Sequence, residues 1–205
     1  MKIQALQVPP IGTNCYLLLD EETGKGAIID PGGAGAAIAD AAEKMGMTPV
    51  AIFLTHGHYD HSGAVMELRT KYPDVPVYLH AADAAMTKRI DSLMPDVGET
   101  VAYDEGDEIA VGGLTVHVYH TPGHSQGSVT LEVGEVLFTG DTLFQGSCGR
   151  TDLAGGSSEM IVKSLKRLVG FDGDRQVLPG HEGFSTLEQE RVNNPWVAYA
   201  LKQEL

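Results

Sequence analysis

The sequence predicts an α/β fold in which two β-sheets stack face to face and helices cover their outer faces. Three observations predict it. Strand-like runs open the chain, helix-like segments are interspersed, and the two halves resemble each other, each with several strands followed by helices. Stacking the sheets and placing the helices outside buries the apolar side of every element.

The elements follow in order. Ile3–Val8, Asn14–Asp20 and Gly26–Asp30 read as strands, separated by Pro9-Pro10 and by Thr23-Gly24. Asp30-Pro31-Gly32-Gly33 is a turn, and an alanine-rich helix runs from it to about Met45. Ala51–Leu54 is a short apolar strand. Val65, Leu68 and Tyr72 recur at helical spacing in a helix from about Ser62 to Tyr72. Val75–His80 reads as a strand and Ala81–Arg89 as a short helical stretch. Ile90 to Gly106 is acidic and irregular, an exposed loop that could border a pocket. Strands return at Glu108–Val111, Thr115–His120, Ser128–Val133 and Val136–Thr139. Ser157 is a plausible N-cap for a helix carrying Ile161, Leu165 and Leu168, with Glu159 in its positively polarised first turn. Gln176–Leu178 is the last strand, and Thr186–Leu205 reads as helical. No linker and no short-period repeat interrupts the chain, so residues 1–205 are expected to form a single domain with a short helical C-terminal tail.

Composition narrows the function classes. With 42% hydrophobic and 20% charged residues, the chain has the balance of an ordinary globular protein. Its 25 glycines imply many tight loops between short elements. A net charge of −14 repels polyanions, and no lysine/arginine-rich run offsets it, so nucleic acid and anionic membranes are excluded as partners. No stretch approaches the roughly 20 apolar residues of a membrane helix. The opening MKIQALQVPPIG lacks the apolar core and cleavage site of a signal peptide. Two cysteines do not make a disulfide framework, and a cytoplasmic protein is expected.

The chemistry is concentrated in Thr55-His56-Gly57-His58-Tyr59-Asp60-His61, where six consecutive positions offer four ligand-type side chains directly after an apolar strand. His56 and His58 project to one side if the chain is still extended. Asp60 and His61 fall at the start of the next helix, where the dipole favours a carboxylate. Gly57 keeps the backbone slim where ligands crowd. Imidazole and carboxylate together suit zinc, or iron or manganese. Three later segments repeat one design, a β-rich run and a glycine-containing turn leading to one ligand-type residue: His124, Asp141 and His181. Strand ends on one edge of a sheet pair can converge on a point.

Seven ligands are too many for one tetrahedral ion but suit two divalent ions. The natural division gives His56, His58 and His124 to one, and Asp60, His61 and His181 to the other, with Asp141 bridging. Two ions about 3.5–4 Å apart can hold a bridging hydroxide as nucleophile. Asp60 is the expected catalytic residue, orienting the hydroxide and returning its proton to the leaving group. His117 reads as structural. His80 and His120 end strands, where either could hydrogen-bond a ligand from behind. Cys15 reads as a buried small residue and Cys148 as a packed loop cysteine.

His56-Gly-His-Tyr-Asp-His61 followed by His124, Asp141 and His181 resembles the metallo-β-lactamase superfamily, from the first strands to about Asn194. The resemblance implies the four-layer αββα sandwich. Phe138-Thr-Gly-Asp-Thr-Leu-Phe144 and Gly146-Ser-Cys-Gly-Arg-Thr-Asp152 are similar to the glyoxalase II branch, and Asn193-Asn194-Pro195 fits its short bacterial forms. That branch implies a metal-dependent hydrolase of a small thioester, S-acylglutathione or a related thiol ester. Its longer members add a helical C-terminal domain that helps hold glutathione, and only a short stretch follows His181 here. They also use a lysine and a tyrosine where this chain has Arg150 and Asp152. Arg150 can still grip a substrate carboxylate, which Asp152 would repel. Persulfide dioxygenases resemble the same pattern, with a similar Gly-Arg-Thr-Asp loop. They imply the alternative, one iron held by His56, His124 and Asp141.

Overall fold

The computed structural model describes residues 1–87, 89 and 92–204. Lys88, Ile90, Asp91 and Leu205 lie outside the described residues, so the ends of the expected 81–89 helix, the 90–106 loop and the C-terminal tail are compared only in part.

The first half forms β1 (Lys2–Val8), β2 (Thr13–Leu19), β3 (Lys25–Ile29), α1 (Gly35–Lys44), β4 (Thr48–Phe53), α2 (Tyr59–Ser62), α3 (Val65–Lys71), β5 (Val77–Tyr78) and α4 (Ala81–Met86). Its five strands make one sheet in sequential order. The second half forms β6 (Glu108–Val111), β7 (Leu114–His120), β8 (Val129–Val133), β9 (Val136–Gly140), β10 (Leu143–Phe144), β11 (Ser147–Cys148), α5 (Ser158–Val169), β12 (Gln176–Pro179), β13 (Ser185–Thr186), α6 (Leu187–Asn193) and α7 (Pro195–Ala200). Six of these strands make the second sheet, ordered β13-β12-β9-β8-β7-β6, and β10 and β11 pair as a separate hairpin.

The strand pleat sorts the apolar residues into three cores. In β2, Cys15, Leu17 and Leu19 face outward onto Ile38, Ala39 and Ala42 of α1 and Val65 and Leu68 of α3. The alternate residues Tyr16 and Leu18 face inward, with Ala51 and Phe53 of β4, onto Val129, Leu131, Phe138 and Leu178 of the other sheet. Beyond that sheet, Leu137 and Val177 pack on Ile161, Leu165 and Leu168 of α5 and Val197 of α7. Helix, sheet, sheet and helix thus stack as the predicted αββα sandwich. Strands buried on both faces carry apolar residues at consecutive positions rather than alternate ones.

Several boundaries differ from the sequence reading. The helix expected over 62–72 starts only at Val65, as α3, because Gly63 and Ala64 close the preceding turn α2 and the Ala64 amide donates to Pro31 O instead of continuing the ladder. The strand expected over 75–80 shrinks to Val77–Tyr78, since Pro76 has no amide to donate. The C-terminal helix breaks at Asn194, whose backbone is extended ahead of Pro195. Its side chain caps α7 and donates to Phe144 O, Ser147 O and Glu190 Oε2, tying the tail to the loop after Asp141. The β10–β11 hairpin was not expected. Ser157 does cap α5, accepting from the Met160 amide at 3.3 Å.

Phe138 is central to the inter-sheet core, 1% exposed and edge-on to Tyr16 at 5.2 Å between ring centroids. Phe138→Ala is expected to cost about 3–5 kcal/mol, the usual loss for a fully buried ring. Urea unfolding at fixed metal concentration measures it, and a loss under about 1 kcal/mol would contradict this packing.

Candidate metal centre

The seven ligand-type residues come from four strand ends that meet on one edge of the sandwich. His56 follows β4, and His58 N-caps α2, whose short turn carries Asp60 and His61. His124 follows β7. Asp141 and His181 follow β9 and β12, which run parallel with Gly140 opposite Pro179, so Asp141, one residue on, and His181, two residues on, leave the sheet as neighbours. Gly180 has to be glycine: a Cβ there would lie 2.4 Å from both Asp141 Oδ1 and His61 Cε1. The other sheet holds the same turn, through Asn14 N to Gly180 O at 2.8 Å and Tyr16 Oη to Pro179 O at 2.6 Å.

The seven form overlapping groups. His58 Nδ1 and His124 Nε2 lie 2.9 Å apart. His61 Nε2 lies 3.3 Å from both Asp60 Oδ2 and Asp141 Oδ1. His181 Nε2 lies 3.1 Å from Asp60 Oδ2 and 3.5 Å from Asp141 Oδ2, and the latter atom is 3.4 Å from His124 Nε2. Donor atoms of His56, His58 and His124 fall within 4.8 Å of one another, as do those of Asp60, His61 and His181. The Asp141 carboxylate touches both groups.

Partners behind the rings fix which nitrogen faces inward. Thr55 gives its one hydroxyl proton to Asp30 Oδ2 at 2.7 Å, so its oxygen accepts from His56 Nδ1 at 3.2 Å and His56 Nε2 keeps a lone pair. His61 Nδ1 donates to Asp30 Oδ2 at 3.0 Å and His124 Nδ1 to Arg150 O at 2.8 Å. In each ring this turns Nε2 into the cluster, the orientation that ligation requires. His56 Nε2 and Asp141 Oδ1 are buried with no hydrogen-bond partner. Such atoms are costly to bury unless a cation meets them. The donor set thus fits divalent metal, and the cluster is compatible with a dinuclear site.

The electrostatics divide the cluster. Burial, reinforced by the neighbouring rings, holds His56 well below the usual imidazole range and brings His58 down to about 4. Burial opposes a proton on His61 too, but Asp141 and Asp30 outweigh it and raise that ring. Burial would raise Asp60, yet hydrogen bonds from His181, His61 and Thr13 hold its carboxyl below the usual range. His56 and His58 thus resist protonation, while the carboxylates of Asp60 and Asp141 draw positive charge.

A family model described as the metallo-beta-lactamase superfamily matches residues 8–181. The chain belongs to this superfamily. Among its relatives in it, the probable metallo-hydrolase YqgX of Bacillus subtilis is 37% identical over 96% of this chain and 98% of its own. The hydroxyacylglutathione hydrolase GloC of Haemophilus influenzae is 32% identical over the same shares. The crystal structure of TTHA1623 in a di-iron-bound form superposes with a TM-score of 0.83 at 34% identity, covering 94% of this chain and 99% of that one. ETHE1 from Myxococcus xanthus superposes with a TM-score of 0.81 at 26% identity, covering 100% and 92%.

Other expected residues stand apart from the metallo-β-lactamase-type cluster. The Arg150 side chain is exposed and grips Asp152 in two hydrogen bonds of 2.7 and 2.6 Å, while its carbonyl orients His124. Neither His80 nor His120 backs a ligand. They stack on each other at 4.5 Å, His80 bonding Asp104 and His120 bonding Gln126 O. Cys15 is buried, and burial pushes the Cys148 thiol up to about 11, so neither is a ready nucleophile.

Asp30 was missed. The sequence reading took it for a turn residue, although it ends an apolar strand ahead of Pro-Gly-Gly. Its carboxylate accepts from Thr55 N, Thr55 Oγ1 and His61 Nδ1. Asp30→Asn is expected to weaken binding of one metal equivalent about 10–100-fold, the usual cost of losing a group that orients a ligand. Competition with a chromophoric chelator measures it; unchanged affinity would mean that Asp30 does not set the His61 ring.

Proposed function

We propose that the chain, acting as one unit in the cytoplasm, is a thioesterase using two divalent ions, most simply zinc. His56, His58 and His124 would hold one ion, and Asp60, His61 and His181 the other, with Asp141 between them. The observation that carries this reading is the Asp141 carboxylate, set between three inward-facing histidines and an Asp-His-His group. The names of the relatives, metallo-hydrolase and hydroxyacylglutathione hydrolase, support hydrolysis and this substrate class.

When bound, two such ions supply a hydroxide near neutral pH and polarise a carbonyl. The chain's own groups do the rest. Thr13 Oγ1 donates to Asp60 Oδ2 at 3.0 Å, which fixes that carboxylate towards the cluster. Asp60 remains ionised there and orients the attacking water by accepting its hydrogen bond. The proton passes to the departing thiolate, a good leaving group that asks little of the protein. Arg150 orients an acid group on the substrate, in competition with Asp152.

His58→Ala is expected to abolish nearly all thioester hydrolysis and one equivalent of bound metal, by activity assay and elemental analysis. Arg150→Ala is expected to raise KM for acidic thioesters severalfold with little change in kcat; an unchanged KM would show that Arg150 does not touch substrate. A single iron with oxygen uptake on a glutathione persulfide, in place of two ions and thioester cleavage, would replace this reading with the oxygenase one.

A further inference from the structure

Asp83 is a second buried carboxylate that neither the ligand set nor the mechanism uses. It sits in the first turn of α4, fully buried, on an element that supplies no ligand. Its three hydrogen bonds all come from the two loops that carry the three-histidine group. Gly57 N, in the peptide that follows His56 and precedes His58, donates to Oδ2 at 3.0 Å. Ser125 Oγ, next to His124, donates to the same oxygen at 2.7 Å. Gly127 N donates to Oδ1 at 2.7 Å. The contact is close enough to dictate sequence: a Cβ on Gly127 would lie 2.8 Å from Asp83 Cγ.

Gly57 and Ser125 are far apart in the chain, and no strand pairing joins them. Asp83 Oδ2 accepts from both, and Oδ1 adds Gly127 from the His124 side, so one carboxylate holds the two loops together. The N-terminal turn of α4 offers a fixed base for the charge, which its dipole favours.

We infer that Asp83 is the positioning residue for the three-histidine half of the centre, clamping the His56–His58 loop to the His124 turn as Asp30 sets His61 in the other half. The inference rests on the proposed two-ion reading, but its test does not depend on thioester hydrolysis. In Asp83→Asn one oxygen becomes a donor facing donors, so at least one of the three bonds is lost and the clamp on the two loops loosens.

The test is a cobalt(II) titration of the metal-free protein, read by visible absorption and by competition with a chromophoric chelator. Wild type is expected to take up two equivalents. Asp83→Asn is expected to keep one at near wild-type affinity and to weaken the other about 10–100-fold, with a changed visible band for the weakened site. Ser125→Ala, which removes a single bond, is expected to act in the same direction by about threefold and guards against a fold lost in the first variant. Equal weakening of both equivalents in both variants, or no weakening in either, would overturn the inference. Fewer than two equivalents in wild type would instead overturn the two-ion reading beneath it. Loss of one equivalent in a protein that cleaves no thioester would uphold the inference and remove only the substrate assignment.

Discussion

Seven side chains that are each better solvated in water are held together at the edge of two packed sheets, and the cost of keeping them there governs the structure around them. Without a cation the group is frustrated. His56 Nε2 and Asp141 Oδ1 lie buried without a hydrogen-bond partner. His61 and His181 hold protons more readily than usual, while His56 and His58 hold them less readily. Two divalent ions would answer both tendencies at once, accepting the lone pairs of the first half and neutralising the carboxylates of the second.

A frustrated site of this kind needs a stiff frame, and the sandwich provides one. The strands that deliver ligands lie inside their sheets, β4 between β3 and β5, β7 between β6 and β8, β9 between β8 and β12. Each ends at the same edge, so its last residues leave the ladder with little freedom. Bonds between the sheets close the arrangement: Val129 N reaches Thr55 O, and Asn14 N reaches Gly180 O, each at 2.8 Å. A ligand loop is therefore tied to both sheets before any ion arrives.

How much of this was legible follows from where the information lies. His56, His58, Asp60 and His61 are contiguous, so their chemistry shows as local density. Asp141 and His181 could be found because each repeats one local design, an apolar strand and a glycine turn. Asp30 and Asp83 carry no such mark. One looks like a turn residue and the other like a helix residue, and their roles exist only after chain segments 25 to 44 residues away fold against them. The part Arg150 plays through its carbonyl is hidden for the same reason, since a main-chain acceptor has no sequence signature. The fold was legible at the level of layers, because β-rich and helical runs alternate in both halves. It was less so at element ends, where Gly63, Pro76 and Asn194 reset the backbone.

Residue type alone does not make a metal site, and the chain contains its own control. His80, Asp104 and His120 also bring donor atoms within 4.8 Å of one another. There, however, His80 Nδ1 accepts from the Ala82 amide at 3.1 Å, so the ring proton sits on Nε2 and is given to Asp104. A cation entering at Nε2 would have to displace that proton and turn the Nδ1 lone pair into a donor facing another donor. At the central cluster the partners are reversed. Thr55, Asp30 and the Arg150 carbonyl are acceptors, so His56, His61 and His124 give the Nδ1 proton away from the cluster and turn Nε2 into it. What separates the two histidine groups is the polarity of the atoms behind the rings, and those atoms are set by the backbone.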